Sequence, residues 1–453
     1  MGLSRIFDIS SRSLQAYQQA LDVTAHNVAN SSNPDFSRRR VVLTPNTPQF
    51  TAGLVWGTGV QLTDIQRLRD TFADNQIRSN NQKNADADKQ AQLLGQIEQT
   101  FSEPSDLGLS NYITNFFNSW GQAATNPTSI PLRNNLLNSA SQLSSKIKNI
   151  HDDLVSIQAS SAKDFTAITS TLNTDLQNIQ GLNQQIYEAK MMGSSSADLE
   201  DQRDKLLDDV SKMANVTITY DDGGSALVSV GGVLGADRNT SAEFTSTLQN
   251  GKLALVAKDS GLPASLKSGE LNALAEVYSK KIPEYQAKID NIVNSIMTNV
   301  NSLHTQGTDI SNPPQQGLNF FESYDNGLLS VNYRILSDPS KIAISADGTA
   351  GNGDIANQIA DLQNSKLVDN ATFEDSYGAL ISQIANDKTS QENTQQATDM
   401  AIQQMQAARA STSGVSIDEE MTNMIKYQRS YDASAKLIST ADQLLQTLLN
   451  MVQ

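Results

Sequence analysis

The chain contains no cysteine. Disulfides, thiolate nucleophiles and cysteine-ligated metals are therefore excluded. Histidine is nearly as scarce: His26, His151 and His304 each stand alone in a stretch of helical patterning. A Ser-His-Asp triad or a histidine metal site has little to draw on, and each reads as an ordinary structural histidine. No run of about 18 apolar residues occurs, so there is no candidate transmembrane span. The opening MGLSRIFDISSRSLQAYQQALDV lacks both a continuous apolar stretch and a small-residue cleavage site. It is not expected to be a cleaved secretory signal.

Positive charge is the scarcer sign. Lys and Arg number 33 against 49 Asp and Glu, a net charge of −16. Such an excess repels phosphate backbones and anionic headgroups, so neither nucleic acid nor membrane is an expected partner. Residues 1–40 break the rule: five arginines there outnumber three aspartates, and three of the five are the run Arg38, Arg39, Arg40. Of the two readings, an anion site or salt-bridge partners for acidic neighbours, the second is adopted. At roughly 150 residues per domain, 453 residues suggest about three domains.

What is present is helical periodicity, strongest at the two ends. Leu3, Phe7, Ser10, Leu14, Tyr17, Leu21, Thr24 and Val28 follow a 4-3-4-3 spacing, the seam of a coiled coil with polar interruptions. Asn30 is expected to close this helix as a left-handed cap, and Pro34 bars its continuation. Near the other end, Gly414 breaks the chain and Ser416 with Glu419 forms a capping-box pattern. Ile417, Met421, Met424, Gln428, Tyr431, Ala435, Ile438, Asp442, Leu445 and Leu449 then keep the same rhythm, with Gln428 and Asp442 as polar breaks. Termini usually fray; seams at both ends imply that they pack against each other and against further copies.

Between the ends, Val41 to Gln61 reads as extended. Helices are expected over Thr71 to Phe101 and Leu109 to Gln122, with a break at Pro104, then from Leu143 to Ile186, Asp198 to Met213, Glu270 to Leu303 and Asp354 to Ala410. NVTITY, a DDGG turn and SALVSV read as a hairpin, extended by GVLGA, SAEFTSTL and KLALVA. KIAIS reads as a short strand in an irregular patch spanning 305–350. The expected fold is mainly α with small β subdomains. Its N- and C-terminal helices pair as a coiled coil, and a long helical bundle forms the middle. The expected division is 1–40 with 411–453 (terminal helices), 41–215 with 266–304 and 354–410 (helical bundle), 216–265 (β subdomain) and 305–353 (irregular outer subdomain).

No catalytic, cofactor or metal site emerges. The acidic cluster Asp198, Glu200, Asp201, Asp204, Asp208 and Asp209 is interleaved with Arg203 and Lys205. It reads as a salt-bridged helix face, Asp201–Lys205 having i,i+4 spacing, in preference to paired catalytic carboxylates. Asp221-Asp222-Gly223-Gly224 lacks the twelve-residue calcium pattern. Gly57-Thr58-Gly59 and Gly231-Gly232-Val233-Leu234-Gly235 match no phosphate or dinucleotide fingerprint and read as turn glycines.

Residues 14–40, with ALDVTAHNVAN followed by a proline turn and aromatic-Ser-Arg, resemble the N-terminal signature of the flagellar rod, hook and hook-associated axial proteins. GVSIDEEMTNMIKYQRSYDASAKLISTADQLLQTLLNMV is similar to the C-terminal one. GTGVQLTDIQRLRDTFADNQIR, LLGQIEQTFSEPSDLGLSNYITNFFNSW and ADLEDQRDKLLDDVSKMANV resemble the hook-associated branch, since hook and rod proteins lack such a helical interior. The likeness is strong over 1–215 and 405–453, and weak over 216–265 and 305–390. One departure is Asn33-Pro34-Asp35-Phe36, where the family usually has Thr-Pro-Gly-Tyr; Asp35 in place of Gly points to a type I turn. The chain also looks short for the family, so a reduced outer region is expected.

The resemblance implies a structural, non-enzymatic subunit of the bacterial flagellum. It implies export without a cleaved signal through the type III apparatus, and a ring at the hook tip with the terminal helices as its inner tube. Implied partners are further copies, hook protein, the neighbouring junction protein, flagellin, and a cytoplasmic export chaperone on the C-terminal helix. Assembly-interface candidates are Leu3, Phe7, Leu14, Tyr17, Leu21 and Val28, with Met421, Met424, Tyr431, Ile438, Leu445 and Leu449; Asn27 and Asn30 would shape the exit from the first helix. The alternatives are another axial component, such as a hook or rod protein, or a secreted enzyme carried on the flagellum. The enzyme would need an acidic pair in a cleft.

Overall fold

In the computed structural model, which describes residues 2–51, 54–101 and 108–452, α1 spans Gly2–Ala29. A two-stranded ribbon follows. β1 (Arg39–Pro45) pairs antiparallel with β4 (Val60–Arg67), and nested at its tip β2 (Gln49–Thr51) pairs with β3 (Leu54–Trp56). The ribbon lies along α1. Gly59, at φ +95°, makes that seat possible, because a Cβ there would stand 3.3 Å from Ile9.

The helical body begins with α2 (Thr71–Phe101), α3 (Leu109–Thr125) and α4 (Ile130–Met191). The expected break at Pro104 lies outside the described residues. α4 runs 62 residues as one helix. Pro131 sits in its first turn, where no N–H donor is needed. It stops in a Schellman motif: Gly193 adopts φ +68°, its N–H reaching Lys190 O and that of Ser194 reaching Ala189 O. Leu136, Leu143, Ile147, Leu154, Phe165, Leu172, Leu176 and Ile186 are buried along one face, the helical spacing read in the sequence.

α5 (Ala197–Met213) returns along α4 and precedes three strands, β5 (Val216–Tyr220), β6 (Ala226–Val230) and β7 (Val233–Ala236), which form one antiparallel sheet. β8 (Phe244–Gln249) and β9 (Lys252–Ala257) make a separate hairpin. α6 (Glu270–Glu276) passes through a π-helical turn, Val277–Lys281, into α7 (Ile282–His304). β10 (Phe321–Asp325) and β11 (Leu328–Val331) pair, and two short helices follow, α8 (Tyr333–Ser337) and α9 (Asp354–Asp361). α10 (Phe373–Ser413) lies against α2, and α11 (Ile417–Val452) against α1.

The core is a single cluster running through the body. Aromatics are few but concentrated. Phe116, Trp120, Phe320 and Phe321 interlock, with Trp120–Phe320 centroids 5.0 Å apart, and Phe117 stacks on Phe373 at 5.5 Å. These contacts join α3, β10 and the start of α10.

Two expected elements differ. KIAIS is not a strand. The Ile342 carbonyl accepts from buried Arg133 at 2.6 Å, and the Ala343 N–H donates to His304 Nε2 at 2.9 Å. Side chains take the groups a neighbouring strand would use. The helix expected over Asp354 to Ala410 is also divided. Asp369 and Asn370 adopt left-handed conformations, and Thr372 opens α10 as an N-cap accepting from the Asp375 N–H. Among the described residues no helix is long and apolar enough to cross a membrane.

Candidate assembly interface

α1 and α11 are antiparallel. Asn27, near the end of α1, meets Glu420 in the first turn of α11, and Tyr17 meets Tyr427 with centroids 6.4 Å apart. The residues fully covered in this pair are mostly small: Ser10, Ala16, Ala20, Thr24 and Asn27 on α1, with Glu420, Ser434 and Ala441 on α11. Small side chains at the contact let two helices approach closely.

Most of the large residues of the sequence seam flank that line. Leu3, Phe7, Leu14, Tyr17, Leu21 and Val28 are half-buried, as are Met424, Tyr431 and Ile438. Met421, Leu445 and Leu449 are exposed. On α11 positions 420, 424, 427, 431, 434, 438 and 441, covered or half-covered, keep the 4-3 rhythm, with every second position one residue earlier than the seam drawn from sequence; 423 and 430 beside them are half-covered too. That offset accounts for the polar breaks: Tyr427 and Ala441 occupy the contact, while Gln428 and Asp442 face out. Glu420, Tyr427 and Ser434 lie one position before Met421, Gln428 and Ala435 of the expected seam.

Asn27 is the pivot. Its amide donates to Arg39 O at 2.8 Å and to Glu420 Oε2 at 2.9 Å, and its Oδ1 accepts from Arg39 N–H at 3.0 Å. One buried side chain thereby joins α1, β1 and α11. Asn30 is not left-handed; its side chain instead donates to His26 O at 2.9 Å, closing the helix from outside. Phe36 N–H donates to Asn33 O at 3.2 Å with Asp35 outside the left-handed region, as a type I turn requires. The expected capping box is not formed. Glu419 turns to Arg38 at 2.9 Å and Glu420 binds Arg38 at 2.7 Å, because a full cation is the stronger partner.

Beneath the helix pair lies a charged junction. Arg39 binds Asp198. Arg67 binds Asp201 at 2.7 Å and Asp204 at 2.5 Å. Arg69 binds Asp74, and Asp204 at 3.1 Å. Arg78 binds Asp208 at 2.6 Å, and Arg409 approaches both Asp74 and Asp208. The acidic face of α5 is thus salt-bridged, but to arginines distant in sequence. The expected Asp201–Lys205 pair is replaced, Lys205 reaching Asp35 instead. Burial pushes the Asp204 carboxyl up, yet Arg69, Arg67 and Arg78 together hold it down at about 2. A signal was available: Arg67, Arg69 and Arg78 are closely spaced in an acidic chain and complement the acidic run at 198–209.

A cleft of about 320 Å³ opens between the 33–37 turn and the α10–α11 connection, lined in part by Arg69, Asp204, Lys205, Asp208 and Arg409. Of its three aspartates, Asp204 and Asp208 are held by arginines and Asp35 faces Lys205 at 3.5 Å. Among the described residues no group of three or more His, Asp or Glu is placed to hold a metal ion.

Residues 94–321, half of the chain, match the family described as "Flagellar hook-associated protein FlgK helical domain". The chain belongs to the FlgK family. Residues 406–451 also match "Flagellar basal body rod FlgEFG protein C-terminal". Flagellar hook-associated protein 1 of Bacillus subtilis is 27% identical, covering 98% of this chain and 97% of that protein. Its Escherichia coli namesake is 22% identical over 99% of this chain and all of that protein. The structure of the flagellar hook junction protein FlgK from Burkholderia pseudomallei covers 75% of this chain and all of that one, with a TM-score of 0.64 and 14% identity, a likeness of fold. As a FlgK-family member, this chain is a flagellar hook-associated protein.

Proposed function

We propose that the chain is a mechanical adaptor at the hook–filament junction, polymerising into a ring at the hook tip through its terminal helices. α1 and α11 would coil together as the inner tube, and the helical body would form the outer wall. The observation that carries this reading is the outer face of α11. Met421 remains exposed although the helix is docked on α1 there, and Leu444, Leu445, Leu448 and Leu449 are exposed where it runs past the start of α1. Burying one such side chain contributes about 1.5–3 kcal/mol, which several copies in a ring would gain together. The likeness to proteins named for the hook junction supports the same location.

The partners that follow are further copies of the chain, hook protein below, and the neighbouring junction protein and flagellin above. Inside the cell the apolar face of α11 needs cover, a role for an export chaperone. Export through the flagellar type III apparatus would deliver the chain to the flagellum outside the cell. The part is structural, and the carboxylates of the cleft are paired, Asp204 and Asp208 with arginines and Asp35 with Lys205. Another axial component is the remaining reading, supported by the rod-type C-terminal match, but the FlgK helical body favours the junction.

Electron microscopy of isolated hooks mixed with the full chain, or with a chain lacking 1–30 and 415–453, tests this. The full chain is expected to cap hook ends and the shortened one not to. Capping by both would sink the terminal-helix mechanism, and capping by neither would sink the adaptor.

A further inference from the structure

The tip of the β1–β4 ribbon is apolar and uncovered. From Asn46 to Thr63 the sequence has no charged residue. Within it Phe50 is 81% exposed, and Leu54, Val55 and Trp56 are exposed beside it. The tip is held at one end of the terminal helix pair, since the Arg5 guanidinium lies 4.5 Å from the centre of the Trp56 ring.

A second uncovered surface lies at that end. Fourteen residues back from Tyr17 is Leu3, and fourteen forward from Tyr427 is Ala441, the last buried residue of α11 among those described. α11 therefore continues past the start of α1. From Asp442 to Met451, about 15 Å of helix, every side chain is exposed, Leu444, Leu448 and Met451 included. From Gln443 onward this overhang also carries no charge.

Copies of a chain with net charge −16 repel one another. Contact between them costs least where negative charge is absent: the ribbon tip has only the Arg5 cation beside Trp56, and the overhang from Gln443 onward has no charged side chain. Both pack on α1 through neighbouring residues, yet both stay uncovered within one subunit. Two different patches at one level of an axis are matched by rotating one copy onto the next, a heterologous contact, which forms a ring when the rotation closes.

We propose that the ribbon tip of one subunit docks through Phe50 and Trp56 onto the α11 overhang of the next, at Leu444 and Leu448. This rests on the ring-forming reading above and names the surfaces that meet. An aromatic anchor seated among leucines is a common centre of binding energy.

The cysteine-free chain gives cross-linking without background. Full-length Phe50→Cys and Leu448→Cys chains, one carrying a mass tag, are mixed and treated with a short bismaleimide. This is done on free chains at high concentration and on chains added to isolated hooks, with microscopy following assembly. The expected product is the mixed dimer, lost when Leu444→Asp is added to the Leu448→Cys chain. A Leu448→Cys homodimer in its place would mean that overhangs pair with each other, and overturns the docking. So does assembly on hooks without the mixed dimer. The mixed dimer in free chains that never bind hooks overturns the adaptor reading alone, and absence of both overturns both.

Discussion

Asn27 and Glu420, 393 positions apart in sequence, meet at 2.9 Å in the buried joint between the first and last helices. Asn27 also satisfies both backbone groups of Arg39, so its loss strands a carboxylate oxygen, an N–H and a C=O at once. An unsatisfied buried polar group costs about 1–3 kcal/mol. Asn27→Leu is expected to loosen α1 and α11 while leaving the body intact. Amide hydrogen exchange would show protection lost over 2–29 and 417–441 and kept over 130–191. Uniform loss, or none, contradicts the joint.

Asp204 is the hub of the junction, touching Arg67, Arg69 and Arg78. Asp204→Asn leaves buried guanidinium groups short of a counter-charge, and removing one member of such a set costs roughly 3–5 kcal/mol. The pH dependence follows from the carboxyl being held at about 2. The unfolded group titrates near 3.9. Its stabilisation is therefore complete above about pH 4 and is lost as pH falls toward about 2. Urea unfolding from pH 5 to pH 2 would show a steep acid loss that is shallower in Asp204→Asn.

His304 is fully buried, and burial lowers its pKa from 6.5 to about 4. Its Nδ1 faces Leu318 O at 2.6 Å and its Nε2 accepts from Ala343 N–H at 2.9 Å, a neutral ring bridging two backbone segments. Between pH 4 and 6.5 the unfolded chain binds the extra proton, so stability falls as pH drops through that window. At pH 4.5 the loss is roughly 2–3 kcal/mol relative to pH 7. His304→Gln is expected to start less stable and to lack this slope in calorimetry.

Ala20 is completely buried on α1. Ala20→Leu inserts three carbons at a fully buried position of α1, and overpacking of this kind costs typically about 1–3 kcal/mol. The variant should show earlier cleavage of α1 and α11 in limited proteolysis, with the body resistant. By contrast, Leu445→Asp with Leu449→Asp changes exposed positions. The free subunit should keep its melting temperature and lose binding to hook ends. Wild-type binding by that variant would exclude the outer face of α11 from assembly.

Local periodicity and composition made the helical body legible. The spacing from Leu143 to Ile186 required a buried face. The terminal helices and their common period were equally plain, because a 4-3 repeat has no other simple structural meaning. The exact contact line was not. On α11 the buried Glu420, Ser434 and Ala441 each stand one position before Met421, Ala435 and Asp442 of the seam drawn from sequence. A one-residue rotation of a helix costs little in pattern and changes every contact.

Charge tells the same story. Composition established the acidic excess and the basic start, and Arg38 and Arg39 find acids as expected, whereas Arg40 donates to Gln66 Oε1 at 3.1 Å. Which acids was decided by folding: Arg38 chose Glu419 and Glu420, and Arg39 chose Asp198. Coulomb attraction has no sequence register, so only the path of the chain brings partners into range. KIAIS lost its strand for a related reason, since Arg133 and His304 arrived from distant helices to take its backbone groups. The sequence by itself determined the helices, their polarity and the family; tertiary structure decided the register of the helix pair and the partners of every buried charge, because both depend on distances no local pattern encodes.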